Sequence, residues 1–162
     1  MEANQRVAIH VPEGEGKRLW VADELITLKA SGEDTGGAYS LTDSVVPSGG
    51  GPPPHVHHRE DEAFWVLEGE LEVQVGENTF RAEAGSFVHL PRDIQHAYQN
   101  VGKGPARFLT LMVPGGLEKF FEEVGKPATD LSSQPAFEEE DIDELLAVAP
   151  KYGVEILLPQ DS

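Results

Sequence analysis

Residues 49–70 read "GGGPPPHVHHREDEAFWVLEGE", and this stretch decides how the rest of the chain is read. Three of the six histidines, His55, His57 and His58, stand here directly after Pro52, Pro53 and Pro54, and Glu60, Asp61 and Glu62 follow them. On an extended strand, residues i and i+2 point to one face. His55 and His57 therefore face together and His58 faces away. Glu62 and Phe64 share a face on the next strand. Two imidazoles and a carboxylate converging inside a barrel can hold a divalent metal, because both ligand types donate lone pairs. Left unpaired, the buried carboxylate would be costly. Downstream, "GSFVHLPRDIQHAYQN" (85–100) adds a fourth group. There His96 follows a Pro-Arg-Asp turn and opens a strand with Tyr98 and Asn100 on its own face.

Outward from these two stretches, most of residues 7–113 reads as short strands. "RLWVAD", "ELITLKA", "AYSLTDSVV", "AFWVLEGELEVQV", "TFRAE", "SFVHLP", "HAYQNV" and "ARFLTLMV" are rich in β-branched and aromatic residues and are divided by turn residues. Such regular punctuation predicts an all-β sandwich or barrel. "LEVQVGENTFRAE" is a hairpin turning at Gly76, Glu77 and Asn78. The pattern changes after Pro114. Leu117, Phe120, Phe121 and Val124 give one helix an apolar side within 115–125, with Gly125 as its stop. Ile142, Leu145, Leu146 and Val148 do the same for a helix over 138–149, ended by Pro150. Both helices are expected on the outside of the β domain. The acids at 138–144 suit a solvated helix N-terminus. The division expected is 1–115 for the β-barrel domain and 116–162 for a C-terminal helical extension packed on it.

The 162 residues fit about one domain and can bury a core. The net charge of −17 repels a phosphate backbone, so nucleic acid is not an expected partner. The absence of cysteine excludes disulfides, thiol catalysis and zinc–thiolate sites. No apolar run has the length of a signal-peptide core or of a membrane span, so a cytoplasmic protein with no membrane partner is expected.

The spacing resembles the two motifs of the cupin superfamily. Gly49, His55, His57, Glu62 and Gly69 match the first, and Gly85, Pro91, His96 and Asn100 match the second, with fifteen residues between the motifs. Asp93 stands where the second motif usually has Gly, and Asp tolerates the left-handed turn conformation better than most residues. A finer likeness, to small bacterial cupins grouped with quercetin 2,3-dioxygenase, rests on "PHVHHREDEAFWVLEGELEVQV" and "ARFLTLMVPGGLEKFFEEVG".

The resemblance implies a double-stranded β-helix, a jelly-roll barrel. It implies that His55, His57, Glu62 and His96 ligate one divalent transition metal per chain (Ni, Mn, Fe, Co or Zn), leaving about two coordination positions open. It also implies a homodimer. The function expected is a dioxygenase acting on an enolic or phenolic, flavonol-like small molecule, with dioxygen as co-substrate and Glu62 as general base. Phe64, Val66, Tyr98 and Phe108 are the expected pocket wall, and Trp65 is expected to face outward. His58 is expected outside the ligand face, His89 in the core or pocket wall, and Glu60 and Asp61 in a loop. Two other readings remain. One is a metal-dependent isomerase or lyase on a small oxo-acid or sugar, with Arg92 and Arg107 as candidate anchors; the other is a non-catalytic small-molecule binder.

Overall fold

A computed structural model describes residues 7–158. Two antiparallel sheets face each other. The larger is built from β1 (Lys17–Val21), β2 (Glu24–Ala30), β3 (Ser40–Val46), β5 (Asp61–Glu68), β8 (Phe87–Leu90), β10 (Ala106–Val113) and β11 (Lys126–Pro127). Its order is β11-β1-β2-β3-β10-β5-β8. The smaller holds β4 (His55–His57), β6 (Glu70–Val75), β7 (Asn78–Glu83), β9 (His96–Asn100) and β12 (Val154–Ile156), in the order β12-β4-β9-β6-β7. From β3 to β10 the chain passes back and forth between the two sheets, with only the β6–β7 hairpin staying in one, which is the jelly-roll double-stranded β-helix.

Alternation explains the core. In β6, Leu71, Val73 and Val75 are buried, while Glu72 and Gln74 are exposed. In β5, Glu62, Phe64 and Val66 point inward and Trp65 outward. Val66, Leu71, Val73, Leu90 and Phe108 meet between the sheets with at most 1 % exposure. The hairpin turns at Gly76 and Glu77, with Val75 paired to Asn78 and Gly76 at φ 58°. A positive φ here matches the twist that a two-residue hairpin needs.

The C-terminal segment carries α1 (Glu118–Val124) and α2 (Glu139–Val148). Glu138 caps α2 in a reciprocal pair with Asp141, and Glu139 and Glu140 fill its first turn, where acids suit the helix dipole. α2 stops at Val148, just before Pro150, as the sequence suggested. Pro150 sits early in a 3₁₀ turn, Ala149–Tyr152, where its missing N–H is no loss. The segment then returns as β12, which pairs with β4. Phe120, Leu117, Ala149 and Val154 form a second buried cluster with Met112 of β10. The helices thus lie against an open end of the barrel and help to wall its interior, a closer role than packing on the outside.

Two further expectations are corrected. His89 alternates outward with Phe87 and is exposed, not core or pocket wall. Asp61 is the first residue of β5 rather than a loop residue, while Glu60 does lie in the loop before it and is only 5 % exposed. Asp93 adopts φ 67°, so Asp does take the left-handed turn in place of Gly.

Candidate metal centre and its cavity

β4 and β9 lie side by side with His55 opposite His96. The alternation of β4 carries His57 to the same side as His55. One ligand atom from each of His55, His57 and His96 lies within 4.8 Å of the other two. Glu62 comes from β5 on the facing sheet. Its carboxylate oxygens stand 3.5 Å from His57 Nε2 and 3.3 Å from His96 Nε2. The four sequence-predicted ligands are therefore brought together, three histidines as a tight group and Glu62 against two of them. His58 is on the outside, bonded through its ring nitrogens to Asp93 and Glu155 at 2.7 and 3.1 Å.

The backbone around the cluster leaves little freedom. Gly51, on the approach to His55, has φ 146°, and a Cβ there would lie 2.0 Å from the Tyr98 carbonyl oxygen. Asn100 closes the far end of β9: its amide donates to the Val46 and Gly104 carbonyls at 3.0 and 2.9 Å, and its side-chain oxygen accepts from Gly102 N. His55 Nδ1 lies 2.8 Å from the Pro53 carbonyl, which fixes the ring and leaves Nε2 free.

The donor set fits a divalent metal. His57 Nδ1 and both ring nitrogens of His96 are buried without hydrogen-bond partners, an expensive state unless something else takes the lone pairs. Burial, joined by the neighbouring His96 and His57, pushes His55 down to about 3. Burial also lowers His57, against the pull of Glu62. Neutral imidazoles are the ligating form. Burial would raise Glu62, but the imidazoles of His57, His96 and His55 outweigh it and hold the carboxyl at about 2. Imidazole lone pairs and an ionised carboxylate at this distance are both satisfied by a cation among them.

The cluster opens into a cavity of about 430 Å³. Phe64 and Tyr98 line it from the barrel, Phe121 from α1, and Ile142, Leu145 and Leu146 from α2. The Phe64 and Tyr98 rings meet edge-on, 5.2 Å between centroids. The other two expected wall residues do not reach the cavity: Val66 and Phe108 lie a layer deeper in the sealed core, Phe108 backing both rings at 4.9 and 5.3 Å. Asp23, Glu24 and Thr110 line the cavity too and were not singled out from the sequence. Glu24 was legible, since it falls in phase with buried Ile26 on β2. Arg92 and Arg107 are turned elsewhere, to Asp61 at 3.4 Å and Asp43 at 2.7 Å. Glu60, beside the ligand strand, keeps Oε1 unpartnered and is raised by burial to about 7.

Comparison with known proteins agrees with this architecture. Residues 43–113 match the cupin domain family. Quercetin 2,3-dioxygenase of Bacillus subtilis is 30 % identical over 114 residues, covering 70 % of this chain and 34 % of that protein. Quercetin 2,3-dioxygenase of Aspergillus japonicus is 27 % identical over 126 residues, covering 74 % of this chain and 36 % of that protein. The chain thus spans about a third of the length of these curated relatives. Among solved structures, KdgF from Halomonas sp. superposes with a TM-score of 0.63 at 18 % identity, over 70 % of this chain and 99 % of that one. Residues 43–113 are thus a cupin domain with a histidine group able to bind metal, and the chain resembles the quercetin 2,3-dioxygenases. No helix among the described residues is long and apolar enough to cross a membrane.

Proposed function

We propose that this protein is a metal-dependent dioxygenase acting on a flat enolic or phenolic molecule, with His55, His57, His96 and Glu62 holding one divalent transition metal (Ni, Mn, Fe, Co or Zn). The observation that carries this reading is the mostly apolar, aromatic-backed cavity opening onto three of the four donors, His55, His57 and Glu62, with His96 grouped behind them. A bound metal would lower the pKa of a substrate hydroxyl and offer open positions beside it. The chain's own residues do the rest. Phe64 and Tyr98 present ring surface to a planar substrate and exclude water from one side. Glu62, 3.5 Å from His57 and 3.3 Å from His96, would accept the substrate's hydroxyl proton as general base, either bound to the metal or partly displaced from it. The resemblance to the quercetin dioxygenases supports the same substrate class. An isomerase or lyase acting on a small oxo-acid is less well supported, because neither Arg92 nor Arg107 lines the cavity.

A homodimer accompanies this reading. Trp65 and Phe87 pair across β5 and β8 on the outer face of the larger sheet, and Leu111 and Val113 are exposed on the same face. Sedimentation at micromolar concentration is expected to give twice the chain mass, and a single-chain mass would contradict it.

Oxygen uptake with a flavonol tests the activity. Metal-loaded wild type is expected to consume oxygen, and Glu62→Gln to lose about 10²–10⁴-fold in rate. Undiminished turnover in a metal-loaded Glu62→Gln protein would remove Glu62 from the mechanism. No uptake by the wild type with any of the five metals would overturn the dioxygenase reading.

A further inference from the structure

The cavity has a second polar point. Glu24 opens β2 just past the Ala22–Asp23 turn and points the same way as buried Ile26. Tyr98 donates its hydroxyl to Glu24 Oε1 at 2.6 Å. Both line the cavity that holds His55, His57 and Glu62. The Tyr98 ring is itself fixed against Phe64 and Phe108, so the hydroxyl is aimed rather than free. The other oxygen, Oε2, takes no hydrogen bond from the described residues and is not sealed in the wall, and the side chain that carries it lines the cavity.

A carboxyl placed this way is a poor structural choice, because its desolvation is repaid by one hydrogen bond alone. No Lys or Arg among the described residues lines the cavity to neutralise it. Burial raises the group to about 8, with Tyr98 opposing and Asp23 of its own turn and Glu62 of β5 adding to the rise. With Tyr98 donating to Oε1, the proton belongs on Oε2.

We propose that Glu24, held by Tyr98, selects the substrate by hydrogen bonding through Oε2 to a hydroxyl of a flat oxygenated aromatic, while another oxygen of the same molecule reaches the histidine end. The inference rests on the substrate class proposed above and adds a recognition residue to it. A site built to hydrogen-bond a substrate hydroxyl rejects the analogue that lacks it, since the protein group is then left unpaired. Glu24 therefore favours hydroxylated rings over bare ones in a cavity whose walls alone would accept either.

The test is binding, not turnover. Metal-loaded protein is titrated under argon with quercetin and with unsubstituted flavone, and the ratio of the two dissociation constants is read for each variant. Wild type is expected to prefer quercetin by about tenfold or more. Glu24→Leu and Glu24→Ala are expected to cut that ratio about tenfold with metal content unchanged, and Glu24→Gln, which keeps a neutral donor, to stay within about threefold of wild type. A group that merely supported the fold would shift both ligands together and leave the ratio alone. An unchanged ratio in Glu24→Leu and Glu24→Ala overturns the selection role and leaves the dioxygenase reading standing. Failure of wild type to bind either flavonoid overturns both.

Discussion

The two ends of the barrel interior are built from the same strands and do opposite things. On β5 the inward residues run Glu62, Phe64, Val66, and on β9 they run His96, Tyr98, Asn100. At one end the series supplies a carboxylate and an imidazole with orphaned nitrogens. At the other it supplies Val66 within the sealed core, while Asn100 is fully used in holding loop backbone. Phe64 and Tyr98 are the border, with one face on the cavity and the other on Phe108. Depth along a strand decides whether a residue is scaffold or chemistry. The polar end can carry orphaned donors because the closed end supplies the stability.

That division makes separable predictions. The largest effect belongs to the closed end: Phe108→Ala is expected to cost about 3–5 kcal/mol in denaturant unfolding. Metal content per folded chain should be unaffected; its loss would mean that the two ends are not independent.

A smaller effect is expected at Glu24, on the open end. The folded chain raises this carboxyl from 4.5 to about 8. Its contribution to stability is complete below the unfolded value and is lost as pH rises towards 8, because the folded form holds a proton that the unfolded form has released. Glu24→Gln has no proton to lose, so its melting temperature should gain on wild type steadily from about pH 5 to about pH 8. A constant offset across that range would show that Glu24 ionises normally.

The smallest effect lies outside the barrel. Arg92 and Asp61 form an exposed pair at 3.4 Å, so Arg92→Ala is expected to cost under about 1 kcal/mol and to leave ligand affinity unchanged. A large loss of affinity for an oxo-acid would revive the lyase reading.

The metal end was legible in the sequence because its residues are close in the chain and obey strand alternation. His55 and His57 share a face by parity alone, and the outward turn of His58 and Trp65 follows from the same rule. The left-handed turn at Asp93 was legible from the tolerance of its side chain. Depth was not legible, so Val66 and Phe108 looked as suitable for the wall as Phe64 and Tyr98. Parity places a residue on a face and says nothing of how far along the barrel it lies. Glu24 gave a signal, an acid in phase with Ile26, but its partner Tyr98 is 74 residues away and meets it only when the sheets close. The apolar side of α2 was plain from its period, yet nothing local says that it covers a cavity. β12 is three residues long and exists because β4 offers it an edge.

The central claim is that the three histidines and Glu62 hold a metal. The most direct test is metal content by mass spectrometry on untagged protein, wild type against His57→Ala, with circular dichroism to show that both are folded. The account predicts about one transition-metal ion per chain in the wild type and almost none in the variant. An equal metal content in the two, or none in wild type after loading with Ni, Mn, Fe, Co and Zn, would contradict it.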